Sequence, residues 1–185
     1  MDNGASSYRR FLDGDDYALA EMVGAYKDGL ILYLNGYVHN VFVAEELAED
    51  TFFRLITKKP RFSGNSSFKS FLYAIGRNVA VDYIRHQSKA RQVPLEDAEY
   101  ALREEQSLEQ TYIQEEQKRT VHRALSTLPA DYRQVLWLSF FEGFSNKEIA
   151  AVMHKNERQV RNLLYRAKQS LKSILEKENF IYEEL

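Results

Sequence analysis

Along most of the chain apolar residues return three and four positions apart, the spacing that lines one face of a helix, and strict alternation is nowhere sustained. The pattern predicts helices and no sheet. Leu19, Met22, Val23, Tyr26 and the run Leu30 to Leu34 predict an interrupted helix between Asp16 and Leu34. A second helix fits 43–57, with Ala44, Leu47, Ala48, Thr51, Phe52 and Leu55 on one stripe. The following KKPRFSGNSS gathers Pro, Gly, Asn and Ser and predicts a loop. Ser67 can cap a third helix whose inner stripe is Phe68, Phe71, Leu72, Ile75 and Val79, running to about His86.

Residues 89–116 differ in kind, being Glu- and Gln-rich with weak periodicity, and predict a linker that shades into helix. Beyond it one helix ends near Leu128, and Pro129 can start the next, which carries Val135, Leu136, Leu138 and Phe140 and is stopped by Gly143. Ser145 and Glu148 spell a capping box for a short helix over 146–153. Asn156 and Gln159 repeat the signal more weakly, opening a long helix to about Lys177. The expected fold is all-α: two small helical domains, 1–88 and 117–178, joined by the 89–116 linker and followed by a 179–185 tail.

Composition removes several chemistries. With no Cys in 185 residues there is no disulfide scaffold, zinc knuckle or thiol nucleophile. No apolar stretch follows Arg9 and Arg10, which argues against a signal peptide. Leu30 to Leu34 is far short of the roughly 20 apolar residues of a membrane helix. A soluble, cytoplasmic protein is expected. The net charge of −2 hides strong segregation: residues 1–53 carry −7, 54–91 carry +8, 92–116 carry −7 and 117–177 carry +7. Two basic blocks between acidic ones suggest two polyanion-facing surfaces.

The C-terminal block has the order helix, sharp turn, basic helix, the signature of a helix-turn-helix DNA reader. At 100° per residue, Leu163, Leu164, Ala167, Leu171, Ile174 and Leu175 fall within about 60° of Val160. Arg158, Arg161, Asn162, Tyr165, Arg166, Gln169 and Lys172 point the other way. Arg suits guanine edges and phosphate, Asn and Gln suit adenine or backbone oxygens. The cap at Asn156 should aim free backbone N–H groups at a phosphate.

The 54–91 block mixes cations with rings, including Phe62, Lys69, Tyr73, Arg77 and Arg85, which is how single-stranded nucleic acid is held. Phe68, Phe71 and Tyr83 are assigned to packing. Tyr73, Arg77, Val81 and Ile84 fall on the far side, which must meet either nucleic acid or another helix. Asp82 borders the inner stripe and should pair with a basic side chain of its own domain. On the 43–57 helix, Glu45, Glu46, Glu49 and Asp50 stand opposite the apolar stripe with Phe53 among them, an interface suited to a basic protein partner.

In this order the three surfaces resemble the bacterial RNA polymerase sigma factors of the extracytoplasmic-function subgroup. AEELAEDTFFRL is similar to that family's core-polymerase-binding helix and FSGNSSFKSFLYAIGRNVAVDYIRHQ to its promoter −10 segment. LPADYRQVLWLSFFEGFSNKEIAAVM with NERQVRNLLYRAKQSLK is similar to its −35 reader. The resemblance spans almost the whole chain and implies a factor that binds core polymerase, through its β′ and β subunits, and directs promoter recognition, melting and initiation. Domain 1–88 would bind core and the −10 element, and 117–178 the −35 element.

By the same resemblance Glu45, Glu46, Glu49, Asp50 and Phe53 would face the β′ coiled coil. The loop Phe62, Ser63, Gly64, Asn65, Ser66, Ser67 would hold a flipped nucleotide, with Lys69, Tyr73, Arg77, Asn78 and Arg85 on nearby promoter DNA. Arg158, Arg161, Asn162 and Arg166 would read the −35 major groove beside Asn156 and Gln159, with Lys168 and Lys172 on phosphates. The acidic linker would thread toward the polymerase active-site and RNA-exit channels. An anti-sigma factor is a further partner of this family, and no cofactor or metal is implied. The chain departs from the family at His154 and Lys155, where Gly is frequent, at Arg158 and Gln159, where small residues are usual, and at Phe71, where Trp is common.

Two other classes compete. A plain DNA-binding regulator shares the reader but leaves the basic-aromatic block and the acidic helix unexplained. An enzyme finds little support: His39, His86, His122 and His154 are scattered, there is no phosphate-cradling glycine loop, and Glu45 with Glu49 lacks further metal ligands.

Overall fold

The computed structural model describes residues 3–90 and 116–177. Among them are eight helices and no strand: α1 (Asn3–Leu12), α2 (Asp16–Val38), α3 (Val41–Lys58), α4 (Phe68–Ala90), α5 (Glu116–Thr127), α6 (Ala130–Phe140), α7 (Asn146–Met153) and α8 (Glu157–Lys177). Nearly all of the expected linker, and the expected tail, lie outside the described residues.

In the N-terminal half α2, α3 and α4 pack on one another, and α1 lies across α2 and the start of α4. The α3 stripe is the expected one: Ala44, Leu47, Ala48, Thr51, Phe52 and Leu55 are all buried. Asn40 caps this helix by accepting from the N–H groups of Phe42 and Val43. Three features differ from expectation. Helix α1 is new; its Gly and Ser residues are weak helix formers, and it is held by tertiary burial of Tyr8 and Phe11. Helix α2 is continuous through Gly24, Gly29 and Gly36; at Gly29 and Gly36 the break in apolar pattern marks a close approach of a neighbour, Tyr73 and Gln134 respectively, rather than an end. Helix α4 passes His86 to reach Ala90, since no Pro or Gly intervenes to stop it.

The C-terminal half follows its sequence signals closely. Pro129 precedes α6, whose Val135, Leu136 and Leu138 are buried, while Phe140 is 60% exposed. Gly143 turns the chain with φ +68. The Ser145–Glu148 capping box is complete. His154 takes the left-handed conformation, φ 53, to end α7, and a three-residue turn leads into α8.

The halves are in contact. Helix α7 lies on α4 and α6 lies on α2, so that one hydrophobic cluster runs through both.

Candidate nucleic-acid and protein interfaces

On α8 the inner residues Val160 and Ala167 are buried, and Arg158, Arg161, Asn162, Tyr165, Arg166, Lys168 and Lys172 are exposed. No ion pair engages Arg158, Arg161 or Arg166 among the described residues, so three guanidinium groups stand free on one face. The lysines further along differ. Lys168 Nζ lies 5.0 Å from the Phe140 ring centroid, and Lys172 Nζ is 3.7 Å from Glu176 Oε1. Asn156 and Gln159 form the helix cap that their spacing predicts. The Asn156 N–H donates to Gln159 Oε1 at 2.8 Å and the Gln159 N–H to Asn156 Oδ1 at 2.9 Å. This reciprocal cap commits both side chains to starting the helix and occupies two of the N–H groups expected to meet a phosphate.

The 59–67 loop rests on an aromatic base. Phe62 lies 5.9 Å from Phe68 and 5.2 Å from Phe71, and Tyr8 lies 5.2 Å from Phe68. The Tyr8 hydroxyl donates to the Pro60 carbonyl at 2.8 Å, fixing the loop's entry. Phe62 is thereby turned inward, while Ser63, Gly64 and Asn65 project to solvent, with Gly64 at φ +74. Tyr8 is a positioning residue that sequence reasoning missed, because nothing local to it signals a partner 52 positions away.

The α4 face is divided. Arg85 is exposed, and Asp82 meets Arg54 at 3.4 Å, the intradomain pairing expected for it. Tyr73 is fully buried, 5.1 Å from Tyr33 and 5.4 Å from Phe144 of the other half. Of the two occupants left open for this side, another part of the protein is the one Tyr73 meets, and in this arrangement its ring is out of reach of DNA. Burial, and then the neighbouring Glu142 carboxylate, push the Tyr73 phenol far above its ordinary value. Lys69 Nζ pairs with Glu142 Oε2 at 2.7 Å, and the Trp137 indole N–H donates to the same carboxylate at 2.9 Å.

Ser67 accepts from the Ser70 N–H at 3.3 Å while its hydroxyl donates to Glu148 Oε1. Burial raises the Glu148 carboxyl, but hydrogen bonds from Ser67 and Ser145 outweigh it and hold the group below its ordinary value. Asn78 Oδ1 and His154 Nε2 share a hydrogen bond of 3.0 Å. Glu142, Glu148 and His154 carried no sequence signal for these contacts, which join residues 73 to 81 positions apart in the two halves.

On α3, Glu46, Glu49 and Asp50 are exposed, Glu45 is half-buried and Phe53 is 63% exposed. Phe53 edges a groove of about 500 Å³ floored by Val23, Phe52 and Ile56 and rimmed by Lys27, Glu49 and Asp50. Phe42, 53% exposed, was missed. Its spacing from Glu46, Glu49 and Phe53 sets all four on one stripe, a ring at each end and acids between. Among the described residues no helix is long and apolar enough to cross a membrane.

Comparison with known proteins bears on what these surfaces serve. Residues 22–90 match sigma-70 region 2 and residues 118–171 match sigma-70 region 4. The chain is 30% identical over 171 residues to the RNA polymerase sigma-H factor of Pseudomonas aeruginosa, covering 88% of this chain and 89% of that one. It is 29% identical over 155 residues to the ECF RNA polymerase sigma factor SigX of Bacillus subtilis, covering 82% and 80%. Its fold is similar to that of the sigma factor RpoE of Bartonella quintana, solved with the anti-sigma factor NepR, at TM-score 0.65 and 22% identity over 85% of this chain and 96% of that one.

Proposed function

The chain belongs to the extracytoplasmic-function sigma factors, promoter-recognising subunits of RNA polymerase, and from that premise we propose how its surfaces divide the work. Sigma factors are non-enzymatic initiation factors, and bond-making is left to the polymerase. The α3 stripe of Phe42, Glu46, Glu49 and Phe53, with Glu45 and Asp50, docks on the β′ coiled coil, acids meeting a basic surface and rings filling apolar pockets. Arg158, Arg161, Asn162 and Arg166 enter the −35 major groove, with Lys168 and Lys172 on flanking phosphates. Ser63, Gly64 and Asn65 cradle a nucleotide flipped from the −10 strand, and Lys69, Arg77, Asn78 and Arg85 hold the strand beside it, stabilising the melted promoter.

Domains 1–88 and 117–178, the 89–116 linker in the polymerase channels, contact with the β subunit, a cytoplasmic location and an anti-sigma partner complete this reading. The observation that carries it is the coexistence, in family order, of an acidic Phe-bearing helix and a basic helix with three unpaired guanidinium groups. Transcription in vitro with core enzyme over a promoter library tests it. The chain should direct defined start sites that core alone does not use; a library giving none would overturn it.

A further inference from the structure

We propose that the acidic, ring-bearing segment 178–185 doubles back along α8 and seats in the groove between that helix and the end of α6, so that the chain covers this apolar opening with a piece of itself.

The groove calls for an occupant that is both apolar and anionic. It encloses about 420 Å³ and is lined by Phe140, Leu171 and Leu175 with Lys168 and Lys172. Phe140 is 60% exposed, a large ring left open to water. Lys168 Nζ stands 5.0 Å from the centroid of that ring, and Lys172 meets only Glu176, in a surface pair. Two ammonium groups therefore border an apolar floor. Segment 178–185 has the matching composition: Phe180, Ile181, Tyr182 and Leu185 offer apolar surface, and Glu178, Glu183 and Glu184 offer negative charge. Residues 117–177 carry +7, so the attraction has the right sign.

The junction carries a helix stop. Helix α8 runs to Lys177, and Asn179 follows two positions later. A left-handed residue closes many helices just past their last turn, and after Gly it is Asn that takes this conformation most readily. This chain ends other helices on left-handed residues that are not Gly: His39 after α2, Lys59 after α3 and His154 after α7. With Asn179 in that place, the apolar residue after it, Phe180, packs back on the residue five before it, which is Leu175 of the groove wall. A helix continued through 185 would instead carry Phe180 about 200° from Val160, onto the polar side with Asn162 and Gln169.

The lengths agree. Leu175 and Lys168 are separated along α8 by about 10 Å at a rise of about 1.5 Å per residue. An extended run from Phe180 to Glu184 covers about 13 Å. With Phe180 at Leu175, the Glu183 and Glu184 carboxylates arrive at the Lys168 end, and Ile181 and Tyr182 lie between, over Leu171 and Phe140.

The chain has no Cys, so Glu184→Cys in the full chain takes a single nitroxide, and leucine methyl signals read its position. Leu171 and Leu175 should be broadened to loss of signal, whereas Leu12, on α1, should keep its intensity. Reducing the nitroxide should return both signals. Asn179→Ala, which favours a continued helix, and Phe180→Ser, which removes the anchor, should each restore most of the lost intensity. Undiminished Leu171 and Leu175 signals in the labelled parent would overturn the proposal by showing the groove open or kept for another protein. Broadening that appears when label and observed methyls are on different chains would overturn it in favour of a second copy. Broadening unchanged by both substitutions would overturn the cap and anchor assigned to Asn179 and Phe180.

Discussion

Arg161 and Lys172 lie on the same exposed face of α8, yet the structure assigns them different losses. Arg161 is in the second turn, exposed and with no ion pair among the described residues, so its guanidinium is free to take a bidentate pair on a base edge. Such a pair is worth about 1–3 kcal/mol against the wrong base, or about 5- to 150-fold. Lys172 is eleven residues further along, about 16 Å at a helical rise of about 1.5 Å per residue, past the segment that enters the groove. Its ammonium is 62% exposed and its pairing with Glu176 is a surface one worth little, so it remains available to a phosphate. Losing one phosphate contact lowers the salt slope by about 0.9, so the deficit should shrink about 3.5-fold between 50 and 200 mM salt. The assay is binding of reconstituted holoenzyme to promoter duplexes varied singly through the −35 element, across that salt range. Arg161→Ala should flatten discrimination at one position, and Lys172→Ala should weaken every sequence alike. Equal weakening of all sequences by both, with equal loss of slope, would refute the assignment.

Glu46→Lys on the exposed α3 stripe should cut core binding more than tenfold, through like charge against a basic surface, while shifting stability by no more than about 0.5 kcal/mol; core titration with a thermal melt checks both, and retained affinity would sink the docking face. Ser145→Ala deletes the α7 cap and should cost about 1 kcal/mol, measured by urea unfolding at neutral pH. Glu148 has a folded value below its ordinary one, so its contribution is complete above the ordinary carboxyl range and is lost as pH falls through the folded value. Glu148→Gln should therefore show a shallower acid loss of stability than the parent, and identical slopes from pH 7 downward would contradict the hydrogen bonds assigned to that carboxylate.

What could be read from the chain was what is local. The α3 stripe, the Ser145–Glu148 box, the Gly143 stop and the bounds of α7 all depend on residues within a few positions, and the structure has each of them. The Asn156–Gln159 cap was also read, and the structure closes it; what a single sequence did not tell is that closing it uses two of the N–H groups also expected to face DNA. Helix α1 was invisible since its stability comes from Tyr8 and Phe11 packing beneath later segments. The far side of α4 was recognised as needing a partner from its apolar content. That the partner of Tyr73 is Phe144 depends on a contact 71 positions long, for which a single sequence has no period.

Local closure and long-range contact meet in one side chain. Glu148 Oε2 accepts from the Ser145 N–H at 3.0 Å and its hydroxyl at 2.8 Å, while Oε1 alone faces Ser67. Parting the halves removes the second oxygen's bonds and leaves the capping box whole. Ser67 likewise keeps its acceptor role toward the Ser70 N–H, so α4 retains its start. The backbone N–H of His154 bonds within α7 to Ala150 O, independently of the ring that meets Asn78. The Glu148 and His154 contacts between the halves are thus made by atoms other than those that hold their helix ends, and the Ser67 hydroxyl keeps its acceptor role apart from its donor one. The capping bonds at these helix ends therefore do not depend on the contact between α7 and α4.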